Sequence, residues 1–93
     1  MILQLMTVRL HLPGVHSLKE KRMVVKSLIA RIQNRFHLSA IEAGEQDIHQ
    51  VAVIAIAAMG GNRALTDSIL DQVINLIDAN EDTLITDVLR ELR

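Results

Sequence analysis

The chain has 93 residues and a net charge of −1; 49% of its residues are hydrophobic, yet Phe36 is its one aromatic residue. This length suits a single domain over residues 1–93, and the composition makes its core aliphatic. The absence of cysteine excludes disulfides, thiolate nucleophiles and cysteine-based zinc sites, and the lack of aromatic residues argues against base-stacking platforms.

The charge is distributed unevenly along the chain. Residues 1–37 carry seven lysines and arginines and a single acid, Glu20, whereas residues 38–93 carry three basic residues and ten acids. Such asymmetry indicates an electrostatic partner or two complementary surfaces of one fold. The N-terminus lacks the pattern of a signal peptide, and no apolar run is long enough to span a membrane, so we predict a cytoplasmic protein.

Residues 1–12 alternate in hydrophobicity with the period of a strand. One face carries Ile2, Met6, Val8, Leu10 and Leu12, and the other carries Leu3, Leu5, Thr7, Arg9 and His11. Because both faces are partly apolar, we expect this strand to lie centrally in a sheet. Pro13-Gly14 then ends it, since proline donates no backbone hydrogen bond and glycine accepts turn conformations.

Ser17 begins a helix that is predicted to run to about Phe36. Ser17 and Glu20 have the spacing of a capping box, in which each side chain satisfies a free backbone N–H. The apolar stripe consists of Leu18, Val25, Leu28, Ile29, Ile32 and Phe36. Beside it lies an exposed basic strip formed by Lys19, Arg22 and Lys26, with Lys21, Arg31 and Arg35 in support.

The middle of the chain predicts a hairpin. A short strand over residues 37–43 and a second strand over residues 48–59 are joined by the polar connection Glu45-Gln46-Asp47. The register of this hairpin stays open, because the hydrophobic pattern of the second strand is apolar on both faces.

The last part predicts a helix and a closing strand. Asn62 fits an N-cap, and the helix is expected to end near Ala79. Its apolar stripe is Leu65, Ile69, Val73, Leu76 and Ile77, and its acidic face is Asp67, Asp71 and Asp78. Residues 83–93 also fit helical spacing, but their Thr-Leu-Ile-Thr start favours a strand.

Taken together, these elements predict the order βαββαβ. This is an α+β fold, the ferredoxin-like two-layer sandwich, with a four-stranded antiparallel sheet and both helices on one face. The strands from Met1 and Ile48 are expected in the middle. No internal repeat or linker is visible.

The segment from His11 to Arg22, His-Leu-Pro-Gly-Val-His-Ser-Leu-Lys-Glu-Lys-Arg, carries a resemblance to a known family. Together with the segment from Glu42 to Gln50, it resembles the YlxP-like family of small bacterial proteins, whose function is unknown. The resemblance covers essentially the whole chain; where relatives often have tryptophan, this chain has His49. It implies a ferredoxin-like fold and a tendency of the family's genes to lie near those of translation initiation and ribosome maturation factors.

The sheet face opposite the helices predicts self-association. Leu3, Leu5, Val51, Val53, Ala55 and Ala57 should all point away from the helices. A monomer rarely exposes such an apolar patch, so we expect a two-fold homodimer through this face. The alternatives are that the two faces are assigned wrongly, or that the final strand or a long hairpin folds over the patch.

The basic strip of Lys19, Arg22 and Lys26 predicts a contact with an RNA or ribosomal partner. Phosphates attract such residues without any reading of sequence, so we expect no sequence-specific contact with DNA. The alternative is a solvated helix face, or one neutralised by the Asp67, Asp71 and Asp78 face of the same chain or of a neighbouring copy.

The sequence gives little support for a catalytic site or a metal site. His11, His16 and His49 with Asp47 are the one candidate constellation, but a zinc or iron site needs three convergent ligands. A parallel course of the two central strands puts His11 and His49 toward opposite ends of the sheet. The carboxylates Glu42, Glu45 and Asp47 match a polar turn as well as an acid–base pair. We therefore predict no catalytic residue, metal or cofactor.

The resulting hypothesis is a non-enzymatic, homodimeric binding or accessory protein that associates with RNA or takes part in ribosome maturation. No membrane partner is expected. The alternative is a small-molecule-binding or regulatory module, with a site between subunits near Arg9, His11 and Met59.

Overall fold

The computed structural model describes residues 1–45 and 47–93; Gln46, part of the predicted polar connection, lies outside the described residues. The elements follow the predicted order. They are β1 (Ile2–His11), α1 (Leu18–Phe36), β2 (Ser39–Gly44), β3 (Val51–Gly60), α2 (Arg63–Asp78) and β4 (Leu84–Leu92). Neither α1 nor α2 is both long enough and apolar enough to cross a bilayer.

The four strands form one sheet in the order β2-β3-β1-β4, and each strand is antiparallel to its neighbours. The central pair is β1 and β3, as predicted. These strands run antiparallel, however, with Ile2 opposite Gly60 and His11 opposite Val51. The parallel course predicted for them was wrong, and the end of β1 lies beside the start of β3.

Side chains along the central strands alternate between two faces of the sheet. One face packs against the helices and forms the helix layer with them, and the other is the open sheet face. Met6, Val8 and Leu10 of β1 are fully buried, as are Ile54 and Ile56 of β3. They pack with Val25, Leu28 and Ile32 of α1 and with Leu70, Val73 and Ile77 of α2 in one aliphatic core. Both helices therefore cover the same side of the sheet, as predicted.

Helix α1 begins and ends at defined caps. The Ser17 side chain accepts a hydrogen bond of 3.1 Å from the Glu20 N–H, which confirms the predicted N-cap. Glu20 Oε2 accepts from the N–H of His16 at 3.2 Å, one residue before the expected partner. His37 adopts a left-handed conformation, with φ 55°, and donates to the Gln33 carbonyl. This C-cap explains why β2 begins at Ser39 rather than at His37.

Helix α2 buries Val73, Leu76 and Ile77 as predicted, but its first turn differs from the predicted stripe. Asn62 is its N-cap and accepts a 3.0 Å hydrogen bond from Leu65 N–H, as expected. Leu65 is 53% exposed, whereas Thr66 and Leu70 are fully buried. Burial of Thr66 is tolerated because its hydroxyl donates to the Arg63 carbonyl and accepts from Gln4.

Strand β4 lies at the edge of the sheet beside β1. Its register with β1 shifts between Arg9 and Leu10, and the hydroxyl of Thr86 donates to the Arg9 carbonyl at this bulge. Because β4 and the β2–β3 hairpin both lie within the sheet, neither of them covers its open face. The alternative of a folded-over strand or hairpin was therefore wrong.

Candidate functional site

The open sheet face carries all six residues predicted for self-association. The register places Leu3 opposite Met59 and Leu5 opposite Ala57. Further along the strands, Thr7 lies opposite Ala55, Arg9 opposite Val53 and His11 opposite Val51. On the two outer strands, Ile41 of β2 extends the row of Ala55, and Leu89 of β4 extends the row of Thr7.

Small side chains make this face uneven. A depression of about 160 Å³ lies where Ala55 and Ala57 stand between the larger Leu5 and Ile41. A second depression, of about 350 Å³, involves Leu3 and Met59 at the adjacent end of the sheet. Ile41 and Met59 are each 62% exposed. The face therefore offers apolar projections next to apolar hollows, the relief that an interdigitating partner requires.

A charged row separates the apolar part of this face from its other end. Arg9 Nη1 lies 3.7 Å from Glu45 Oε1, and Asp87 of β4 stands opposite Arg9. The Arg9 side chain is 46% exposed, so the pair contributes little to stability in the isolated chain. The electrostatic interaction between these charges becomes stronger when a second surface excludes water from them.

The basic strip of Lys19, Arg22 and Lys26 is exposed along α1. Among the described residues, none of the three forms an ion pair. Arg22 and Lys26 border a groove of about 360 Å³ between α1 and β2, whose other lining residues are Val25, Ile29 and Glu42. The strip thus has cations available to a partner.

Within one chain, Asp67 and Asp71 of α2 do not neutralise this strip. Asp71 pairs with Arg90 of β4 at 2.7 Å, and Asp67 lies 3.7 Å from Arg63 of its own helix. Asp67 also accepts a hydrogen bond from Gln4. In the described part of the chain, these carboxylates engage residues other than those of α1.

The three residues expected to support the strip lie elsewhere. Lys21 is 1% exposed and belongs to the helix layer. Arg31 and Arg35 line a different cavity, between α1 and α2, together with Gln72 and Asn75. The prediction that these side chains extend the strip was therefore wrong, and the strip consists of three cations.

Lys21 anchors the connection between β2 and β3. Its Nζ donates to the carbonyl oxygens of Glu45 and Ile48, the latter at 2.8 Å, and lies 3.2 Å from Glu42 Oε2. Sequence reasoning missed this residue, although its spacing of three from Leu18 and four from Val25 placed it on the apolar stripe. Its role is to fix the loop that follows β2.

Gln4 is the second buried polar residue that sequence reasoning missed. It is 3% exposed, and its amide donates to Thr66 Oγ1 at 2.6 Å and to Asp67 Oδ1 at 2.7 Å. Its position between Ile2 and Met6 in the alternating pattern was the available signal. These hydrogen bonds join β1 to the first turn of α2.

The candidate catalytic residues do not form one site. The antiparallel central strands bring His11 to the end of the sheet where β3 begins, two residues after His49. Even so, no group of three or more histidines or carboxylates in the described residues is arranged to hold a metal ion. Glu42 pairs with Lys21 in the helix layer and Glu45 with Arg9 of the open face, so these two carboxylates engage opposite sides of the sheet.

The residues of the alternative small-molecule site are also separated. Met59 lies opposite Leu3, whereas His11 lies opposite Val51 at the other end of β1. The eight steps along the strand from Leu3 to His11 correspond to about 26 Å. Within one chain, Arg9, His11 and Met59 therefore do not line a common pocket.

The arrangement of strands and helices defines a ferredoxin-like α+β protein. The solution NMR structure of the de novo designed protein LFR1 1 with ferredoxin fold is similar, with a TM-score of 0.58 over 100% of this chain and 86% of that chain. The sequence identity is 13%, so this likeness shows the fold alone.

Residues 3–90 match the family model described as "Protein of unknown function (DUF503)", and the chain belongs to that family. It is also 43% identical over 63 residues to the uncharacterized protein YlxP of Bacillus subtilis (strain 168), which covers 68% of each chain. The resemblance to a YlxP-like family is thus confirmed.

Proposed function

We propose that this protein is a non-enzymatic, homodimeric accessory protein that associates with itself through the open sheet face and with RNA in ribosome maturation through the basic strip. The observation that carries the proposal is the set of three exposed cations on α1, Lys19, Arg22 and Lys26, which form no ion pair among the described residues. Unpaired cations in a row are what a phosphate backbone engages.

The open face supports the dimer. Four strands spaced about 4.8 Å apart, most of them nine or ten residues long, cover on the order of 600 Å². A stable interface buries about 800 Å² per partner, which this face approaches before its projecting side chains are counted. Ile41, Met59 and Leu89 are more than half exposed in the single chain. A two-fold axis brings this patch against its own copy.

Dimerisation through this face leaves the basic strip free. Because α1 packs on the other side of the sheet, a second copy on the open face lies away from Arg22 and Lys26. The dimer then carries two strips. The strands carry no phenylalanine, tyrosine or tryptophan on which bases stack, so this mode of binding uses the shape and charge of the RNA backbone.

The proposal is tested by co-sedimentation with ribosomal subunits. We expect Arg22→Glu with Lys26→Glu to abolish co-sedimentation. The matched control is Arg63→Glu with Arg93→Glu, which changes the net charge equally at side chains 68% and 57% exposed outside α1. Co-sedimentation that survives the first pair of substitutions would remove the basic strip from the proposal.

The second candidate is a small-molecule-binding or regulatory module with a site at the dimer interface. The two depressions of the open face, of about 160 and 350 Å³, favour it. Salt separates the candidates, because phosphate contacts weaken steeply as salt rises whereas an apolar pocket at an interface does not respond in this way.

A further inference from the structure

A cavity of about 220 Å³ lies between α1 and α2, on the flank of α1 away from the basic strip. It is lined by Arg31, Arg35, Gln72, Asn75, Leu76 and Ala79. We propose that this cavity is a binding site for a phosphate group. The proposal does not depend on the function proposed above, since it uses different side chains.

The side chains that line the cavity carry two positive charges and no negative charge. Arg31 and Arg35 are four residues apart, so they share one face of α1. Neither guanidinium forms an ion pair or donates a hydrogen bond there. No carboxylate lines the cavity, and Asp71 is engaged with Arg90 at 2.7 Å. An anion in the cavity therefore meets two guanidinium groups and no carboxylate among the lining side chains.

The opposite wall adds neutral donors. Gln72 and Asn75 are three residues apart on α2, and both line the cavity. Each amide offers two N–H donors, and neither side chain is hydrogen-bonded within the described residues. Leu76 and Ala79 complete the lining with apolar surface.

This set of donors fits phosphate better than carboxylate. Two guanidinium forks that bind side by side occupy the roughly four acceptor positions of a carboxylate. A phosphate group has a further oxygen, which leaves acceptors for the amides of Gln72 and Asn75. With a volume of about 220 Å³, the cavity has room for a phosphate group.

Arg35 is already held at this position. Its Cζ lies 5.5 Å from the centroid of the Phe36 ring, a cation–π contact that leaves the N–H edge of the guanidinium available. Ala79 is the C-cap of α2, and carbonyls at a helix C-terminus attract cations. Among the described residues, however, these carbonyls accept no hydrogen bond from Arg31 or Arg35. The guanidinium groups of both arginines thus have no acceptor among the described residues and keep their donors for an anion.

The test uses inorganic phosphate as the probe and NMR of the whole protein as the readout. We expect saturable shifts of the side-chain amide signals of Gln72 and Asn75, and none with chloride at equal ionic strength. Arg31→Gln with Arg35→Gln should weaken phosphate binding at least about tenfold. The matched control, Arg63→Gln with Arg93→Gln, removes the same charge at exposed side chains outside α1 and should leave binding unchanged.

Shifts that do not saturate, or that fall equally in both double variants, would show a diffuse ion atmosphere and overturn the proposal. Gln72→Glu is a second variant, because it adds a carboxylate to the cavity and leaves both arginines in place; it should also weaken phosphate binding at least about tenfold.

Two further probes identify the source of the phosphate. A duplex RNA of about 16 base pairs that displaces inorganic phosphate from Gln72 and Asn75 assigns the site to an RNA backbone. If pyrophosphate binds more tightly than phosphate and RNA leaves these signals unchanged, the site is assigned to a free phosphate compound. If Arg22→Gln with Lys26→Gln leaves RNA binding unchanged, the proposed function is contradicted but the phosphate site in the cavity is not. The two proposals can therefore be tested independently.

Discussion

The Nζ atom of Lys21 lies 3.2 Å from Oε2 of Glu42, at a site where the lysine side chain is 1% exposed. Oε2 accepts no aligned hydrogen bond within the described residues, so this contact is ionic, whereas the same Nζ donates hydrogen bonds to the carbonyls of Glu45 and Ile48. One ammonium group therefore joins the start of α1 to the end of β2 and to the connection that follows it.

Removing this ammonium should destabilise the fold. Lys21→Met leaves a largely buried carboxylate and two carbonyls without their partner, and we expect the free energy of unfolding to fall by about 3 kcal/mol. Denaturant unfolding measures the change. The control Lys19→Met, at an exposed position of the same helix turn, should stay within about 0.5 kcal/mol of the wild type. Equal effects of the two substitutions would contradict the buried contact.

The N-cap of α1 gives a smaller and separate effect. Ser17→Ala removes the hydroxyl that accepts from Glu20 N–H and should lower the free energy of unfolding by about 1 kcal/mol. Ser27→Ala is the control, because Ser27 is exposed in the interior of α1, where alanine is the better helix former. A thermal melt in which both variants behave alike would argue against the cap.

A charged residue introduced on the open sheet face should change the oligomeric state. Leu5→Glu places a carboxylate between Ala57 and Glu91 on that face, and we expect it to convert a dimer to a monomer. Light scattering behind size exclusion across a dilution series measures the mass. Met23→Glu makes the same change in charge at a residue of α1 that is 65% exposed, and should leave the mass unchanged.

The basic strip predicts the salt dependence of RNA binding. Each phosphate contact contributes about 0.7 to 0.9 to the slope of log affinity against log salt. Replacing Arg22 or Lys26 by Gln should therefore reduce the slope by roughly this amount, and the affinity should fall similarly for RNAs of different sequence. A filter-binding titration series measures both quantities. An unchanged slope would place the phosphate contacts elsewhere.

Much of the fold is predictable because the core is periodic. The buried face of β1 follows directly from the alternation of Met6, Val8 and Leu10. The buried face of α1 follows from the spacing of Leu28 and Ile32. In α2, Thr66 is buried where Leu65 was predicted to be, because a hydroxyl that forms hydrogen bonds can be buried more easily than hydropathy suggests.

The contacts of the buried polar residues could not be predicted in the same way. Lys21 reaches carbonyls 24 and 27 residues away, and Gln4 reaches Thr66 62 residues away. Local patterns do not encode such distances. By contrast, the assignment of Arg31 and Arg35 to the basic strip neglected helical spacing, which the sequence already contained.

The position of β1 has a consequence for how quickly the chain folds. β1 is the first strand in the chain, yet it pairs with β3 on one side and with β4, the last strand, on the other. Contacts between such distant segments require large loops to close, so we expect folding to be slower than that of a helical bundle of equal length. Until β4 docks, one edge of β1 stays open to pairing with another chain, and this interval is when aggregation competes with folding.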